Sequence, residues 1–205
     1  MGYDDVYAKW QLNPETFWME AAEGIDWFKK PSRALFEDEN TSSWFKDSSV
    51  NCCWNAVDRH VEAGNGDLTA ILYDSPVTLT KRAISYSELQ KKVALLAGGL
   101  RNKGIIAGDR VIIYMPMVPE AIEAMLACAR LGAIHSIVFG GFAATELATR
   151  IDDARPKMIL AASCGLEPGR VIAYKPLIDA AVQQAAHKPE HIIVLQREQG
   201  IAELS

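Results

Sequence analysis

Phe139-Gly140-Gly141-Phe142 is the segment whose residue types could do binding chemistry. It ends an apolar run, His135 to Phe139, and precedes a helical pattern that begins near Ala143. Two glycines remove the side chains that would keep a ligand off the main chain, and a helix amino terminus offers free amides with a partial positive charge to an anion. A phosphate-bearing or adenine-bearing ligand suits such a place. The same four residues also make a tight strand-to-helix turn that needs no ligand, and the residues alone leave both readings open. Arg170, in Pro168-Gly169-Arg170, could bring a cation to the same face or stand as a solvated surface charge.

Other chemistry is harder to find. Asp58-Arg59-His60 pairs an acid with a base, but no nucleophile or metal ligand is spaced around it, so local capping or an ion pair is the expectation. His135 opens a strand and is expected to be packed or hydrogen-bonded, while His187 and His191 flank a loop and are expected to be exposed. Cys52, Cys53, Cys128 and Cys164 form no Cys-x-x-Cys pair and no Cys/His cluster at zinc spacing, so ordinary buried thiols in a reducing compartment are expected, and no metal site. There is neither a G-x-G-x-x-G fingerprint between strand and helix nor a G-x-x-x-x-G-K-[ST] loop, which excludes triphosphate binding in the P-loop manner.

The elements that position these residues change character along the chain. Up to Gly66 the sequence is rich in large rings, among them Trp10, Trp18, Trp27, Trp44 and Trp54, but poor in periodicity. Such a segment is expected to strap across neighbouring structure rather than build its own core. Asn13-Pro14-Glu15 is a helix start, with Asn13 as N-cap and Pro14 at the first helical position. Beyond Gly66, short strands alternate with helices. Leu68 to Tyr73 and Lys81 to Ile84 are expected to pair antiparallel, and Ser85-Tyr86-Ser87-Glu88 is a capping box opening a helix to Lys103.

Strands are then predicted at Arg110 to Met115, His135 to Phe139, Lys157 to Ala162 and His191 to Leu195. Helices are predicted at Pro119 to Arg130, Ala143 to Asp153 and Pro176 to Ala186. Continuously apolar runs such as Val111-Ile112-Ile113 and Ile192-Ile193-Val194 suit strands covered on both faces. The expected fold class is α/β, a mostly parallel sheet with helices on both faces, preceded by an aromatic-rich, partly helical amino-terminal extension. Ligands of such sheets sit outside the carboxyl ends of the strands, where the Phe139 to Phe142 segment falls.

Composition sets the outer bounds. The 205 residues carry 21 Lys plus Arg against 26 Asp plus Glu, a net charge of −5, which excludes nucleic-acid binding by phosphate neutralisation. A hydrophobic share of 49% and a charged share of 23% match ordinary globular domains. Nothing approaches the roughly 18 uninterrupted apolar residues of a membrane span. The first ten residues resemble neither a secretory signal nor a transit peptide, so a cytoplasmic location is expected.

A long ordered string of motifs resembles the amino-terminal part of the AMP-forming short-chain acyl-CoA synthetases. It runs through Asn55-Ala56-Val57-Asp58-Arg59-His60, Gly108-Asp109-Arg110-Val111, Tyr114-Met115-Pro116-Met117, Pro119-Glu120-Ala121, Ala124 to Ala133, and His135 to Phe142. Tyr73 to Thr78 and Gly165 to Arg170 look more like propionyl-CoA than acetyl-CoA synthetases.

The resemblance implies an adenylate-forming large domain over residues 67–205, incomplete, after an extension at residues 1–66. It implies a ligase that joins propionate or another short carboxylic acid to coenzyme A in two steps. ATP with Mg²⁺ first makes an acyl-adenylate, and the thiol then takes the acyl group. It further implies that Phe139, Gly140, Gly141 and Phe142 line the site for the nucleotide part of coenzyme A, with Arg170 meeting its phosphate. Glu167 stands where acetyl-CoA synthetases tend to carry another arginine. The family's phosphate loop, later adenylate motifs and catalytic lysine all follow the region present here, so a fragment or truncated product, inactive alone and with no catalytic residue of its own, is expected. The alternative is a non-catalytic module of the same fold whose uncovered apolar faces drive self-association.

Overall fold

The computed structural model describes residues 2–204. The chain divides after Asn55 into two compact units. In the first, helix α1 (Tyr3–Leu12) is followed by α2 (Pro14–Ala22), which starts as the sequence predicts: the Asn13 side chain accepts from the Thr16 amide at 3.1 Å, with Pro14 in the first turn. Strand β1 (Trp27–Lys29) pairs with β4 (Ser49–Val50), and β2 (Leu35–Glu37) pairs with β3 (Ser42–Trp44), each antiparallel. Strands of two or three residues are too short to print an alternating pattern. The large rings pair with one another inside this unit, Trp18 edge-on to Trp44 at 5.4 Å between centroids and Trp27 beside Phe45 at 5.5 Å.

A helical stretch with wide π turns at Trp54–Asp58 and Val61–Asn65 leads into the second unit. Strands β5 (Thr69–Ser75) and β6 (Thr80–Ser85) form the expected antiparallel pair. Helix α3 (Tyr86–Asn102) is capped by Ser85, whose hydroxyl accepts from the Glu88 amide at 3.2 Å. Glu88, expected to reach back to Ser85, pairs instead with Lys92 at 3.3 Å one turn on. Leu89, Val93, Ala97 and Leu100 form the buried stripe of α3, following the 3.6-residue period.

There follow β7 (Arg110–Met115), α4 (Pro119–Leu131), β8 (Ile134–Phe139), α5 (Ala144–Ala154), β9 (Met158–Ala162), the hairpin β10 (Cys164–Glu167) and β11 (Arg170–Ala173), α6 (Lys175–Gln184) and β12 (His191–Leu195). Gly132, at φ +72°, ends α4 in the left-handed conformation that favours glycine. The hairpin lies where the sequence reading has only a loop, and it turns through Gly169 at φ +78°.

Strands β12, β9, β7 and β8 form one sheet in that order, all parallel. One face carries Ile112, Tyr114, Ile159 and Ala161, all buried against Leu147 and Ile151 of α5 and Ile178 and Ala181 of α6. Val111, Ile113, Met158 and Leu160 point to the other face, where α4 packs on β7 and β8 and α3 packs on α4. Helices on both faces of a parallel sheet are the predicted architecture. Because β7 is flanked by β8 on one side and β9 on the other, the chain reverses its winding there, which makes the carboxyl end of β7 a topological switch point.

Candidate functional site

At that switch point a cavity of about 290 Å³ opens among loops that leave the carboxyl ends of the strands. Pro116 to Val118 follow β7, Phe139 ends β8 and Gly140 follows it, and Arg197 follows β12. The hairpin contributes Leu166, Glu167 and Ile172, and the end of β5 with the turn that follows it contributes Tyr73 to Thr78. The walls are mainly apolar, with the charged side chains of Asp74, Glu167 and Arg197 among them.

The structure treats the five predicted site residues differently. Phe139 lines the cavity and is two-thirds exposed. Gly140 also lines it, but the side that a Cβ would occupy is taken: a methyl there would lie 2.8 Å from the Tyr174 ring and hydroxyl and from the Met115 carbonyl carbon. The bare face of Gly140 therefore seats a tyrosine. Gly141 is exposed, and its amide donates to the Phe139 carbonyl at 2.9 Å, as the Phe142 amide does at 3.2 Å. Those two amides close the turn. Phe142 lies beneath the Arg150 guanidinium, 5.3 Å from ring to cation, and is not part of the cavity wall.

Arg170 is held at the hairpin tip by Glu167, with nitrogen to oxygen distances of 2.6 and 2.7 Å, and it too lies outside the wall. The cation in the wall is Arg197. Its amide donates to the Ser163 hydroxyl at 2.8 Å and its guanidinium to the Cys164 carbonyl at 2.9 Å, which fixes the side chain against the hairpin base. Its place just after a strand is the signal that could have singled it out. Tyr174 carries no such signal, because the contact that matters joins it to a residue 34 positions earlier.

Two phenols support the turn. The Tyr174 hydroxyl donates to the Gly140 carbonyl and the Tyr114 hydroxyl to the Phe142 carbonyl at 2.9 Å. Their rings are tilted, 5.0 Å apart. Burial, with Tyr114 adding to it, pushes the Tyr174 phenol up to about 12, and burial raises Tyr114 as well, so both remain donors at neutral pH.

Asp58 forms an ion pair, as expected, while His60 packs its ring on an aromatic rather than capping or pairing. Asp58 meets Arg130 and the Gln90 amide, and the His60 ring lies on Tyr86 at 5.0 Å. Cys53, Cys128 and Cys164 are buried, but Cys52, expected to be buried as well, is exposed, because successive residues in this helical turn face different sides.

The AMP-binding enzyme family model matches residues 57–204, and the model of the acetyl-coenzyme A synthetase N-terminus matches residues 3–56. The chain belongs to the AMP-binding enzyme family. An uncharacterized protein of Pseudomonas aeruginosa is 53% identical over 205 residues, 100% of this chain and 33% of that protein. A mitochondrial acyl-CoA synthetase short-chain family member 3 of Bos taurus is 50% identical over 95% of this chain and 29% of its own length. The acetyl-coenzyme A synthetase of Streptomyces coelicolor is 46% identical over 94% of this chain and 30% of its own. The chain thus spans about a third of the curated relatives it matches. In fold, it superposes on the acetoacetyl-CoA synthetase from Streptomyces lividans with a TM-score of 0.81 at 22% identity, covering 100% of this chain and 34% of that one. The resemblance read from the motifs is to this AMP-binding family, and the sheet is that of its adenylate-forming fold. Among the described residues no helix is long and apolar enough to cross a membrane.

Proposed function

We propose that this chain supplies the amino-terminal region of an AMP-forming short-chain acyl-CoA synthetase and that its switch-point cavity takes the adenine nucleotide end of coenzyme A. The observation that carries the reading is the convergence of Phe139, Gly140 and Arg197 on one cavity within a chain of this family. An exposed ring offers a stacking face to adenine, and a guanidinium offers two donors to a phosphate. Glu167, the carboxylate that would repel a phosphate, is neutralised by Arg170 at 2.6 Å. Arg197 therefore makes the primary phosphate contact, and Arg170 stands second to it.

The two carboxylates in the cavity wall, Asp74 and Glu167, are each paired with a cation, Lys81 and Arg170, so the cavity's part in the reaction is binding. The whole enzyme would activate a short carboxylate with ATP and Mg²⁺, releasing diphosphate, and pass the acyl group to the coenzyme A thiol, releasing AMP. Propionate is the favoured acid because Tyr73 to Thr78 and Gly165 to Arg170 look more like propionyl-CoA than acetyl-CoA synthetases; of these stretches, Tyr73 to Thr78, Leu166 and Glu167 line the cavity. On this reading the chain alone forms no acyl-adenylate. A reducing compartment, the cytoplasm, suits its four free thiols.

Titration calorimetry with coenzyme A tests the binding role. Saturable binding is expected, weakened about tenfold by Arg197→Ala, as the loss of a charge-assisted hydrogen bond requires, and less by Arg170→Ala. Absence of saturable binding, or indifference to Arg197→Ala, overturns it. A second reading, self-association, is favoured by edge strand β8, where Ile134, Ile137 and Phe139 are each more than half exposed. Sedimentation velocity separates the two, since a single monomeric boundary at high concentration removes the second.

A further inference from the structure

The Tyr174 ring stands between two glycines on different elements, Gly140 in the turn after β8, which lines the cavity, and Gly165 in β10 of the hairpin. A methyl at Gly140 would press on the ring and hydroxyl at 2.8 Å, and a methyl at Gly165, in β10, would collide with the same hydroxyl. The residue is 2% exposed, its amide donates to the Ser163 carbonyl at 2.9 Å, and its hydroxyl donates to the Gly140 carbonyl. It therefore ties the β10–β11 hairpin to the turn after β8. A phenylalanine would fill the same space between the glycines. What it would lack is the bond to the carbonyl that immediately follows Phe139.

We propose that Tyr174 is a positioning residue for the cavity: its hydroxyl fixes the Gly140 carbonyl and so sets the angle at which Phe139 presents its ring to a ligand. The inference rests on the reading of the cavity as a nucleotide site. It explains why both glycines are needed without asking either to touch a ligand. The Phe139 side chain is two-thirds exposed and its ring meets only Phe142, edge-on at 5.9 Å, among the aromatic side chains of the described residues, so its orientation depends on the backbone that carries it.

The decisive variant is Tyr174→Phe, which keeps the ring and removes the bond. Amide exchange at Gly141 and Phe142, the thermal midpoint, and affinity for adenosine 3′,5′-bisphosphate are measured on the whole 205-residue chain. Exchange in the turn is expected to quicken and affinity to fall, each about five- to tenfold, as loss of one buried hydrogen bond implies, while the midpoint moves by only a few degrees. A merely structural role would lower the midpoint and leave the affinity of the folded protein unchanged.

Unchanged exchange in the turn overturns the proposal, and so does faster exchange with unchanged affinity. If the unaltered chain does not bind the bisphosphate, the nucleotide reading fails, and with it the positioning role toward that ligand. Faster exchange in the variant then still confirms the tie between hairpin and turn. Should Tyr174→Phe not fold, magnetic resonance of the unaltered chain decides. A slowly exchanging Tyr174 hydroxyl proton close to the Gly140 α-protons is expected, and a hydroxyl in free exchange with water refutes the bond.

Discussion

Asp58 and Arg130 lie 72 residues apart in sequence, yet one guanidinium nitrogen sits 2.6 Å from both carboxylate oxygens. The Gln90 side chain donates to the same carboxylate at 2.9 Å, so the pair joins the π-turn segment, α3 and the end of α4. Asp58 is 7% exposed. Removing one member of such a pair leaves the other charge poorly solvated, which costs more than the pair itself contributes. Asp58→Ala is expected to destabilise the chain by about 2–3 kcal/mol, at or just under the usual range for a buried pair because the Arg130 side chain keeps partial access to water. Replacing both residues with apolar ones of similar size should restore most of that loss. A urea midpoint that does not move in the single variant contradicts this account.

Glu123 in α4 is buried against Lys92 of α3, with the ammonium 3.3 Å from one carboxylate oxygen. Burial raises its pKa above the ordinary carboxylate range, and Lys92 only partly offsets the effect. The folded chain therefore takes up this proton at a higher pH than the unfolded chain does, and stability falls as pH rises from the unfolded value of 4.5 through the folded one. Glu123→Gln, which mimics the protonated form, should raise the melting midpoint at pH 7. The gain should shrink to nothing below about pH 4, where the unfolded carboxyl is protonated too. A midpoint difference independent of pH would refute the assignment.

The cap of α3 gives a cleaner number. Ser85→Ala removes the acceptor for the Glu88 amide and should cost about 1 kcal/mol. Ser85→Asp should recover it, since a carboxylate caps as well and also favours the positive end of the helix. Guanidinium unfolding of the three proteins checks the order, and Ser85→Ala indistinguishable from the parent would show that the end of β6 alone holds the helix start.

Thiol reactivity follows burial. Cys52 is exposed, whereas Cys53, Cys128 and Cys164 are buried, and burial pushes the Cys128 thiol up to about 11. An aromatic disulfide reagent at pH 8 should consume one equivalent quickly in the native chain and all four only after denaturation. Rapid loss of two would mean that one of Cys53, Cys128 and Cys164 is also accessible.

The parallel core was legible because its strands are continuous apolar runs between helices, of which α3 and α4 stop just before a glycine: Arg110 to Met115 and His191 to Leu195 fall where expected to the residue. The β10–β11 hairpin was not legible, since Cys164-Gly165-Leu166-Glu167 is too short to alternate and carries a glycine whose purpose is a tyrosine nine residues later. Phe139 and Gly140 could be picked out by the strand-end rule. The partners that decide what Gly140 does and that hold Arg197 in the wall, Tyr174 and the Cys164 carbonyl, lie more than thirty residues away and leave no local pattern, whereas the Glu167–Arg170 pair is only three residues apart. In the amino-terminal unit the rings were visible, but strands of two or three residues leave no period to read.

The sheet order has a consequence for how the chain comes to be folded. Strand β7 is made before both of its neighbours, and it meets residues 134–139 on one edge and residues 158–162 on the other. Until the second of these has left the ribosome, Ile112 and Tyr114 lack the partners that shield them, and closing that distant pairing precedes any reward from it. Nascent chains that stop short of α6 should therefore be sticky intermediates that depend on chaperones, whereas synthesis through Gln184 lets the central strand lock into place.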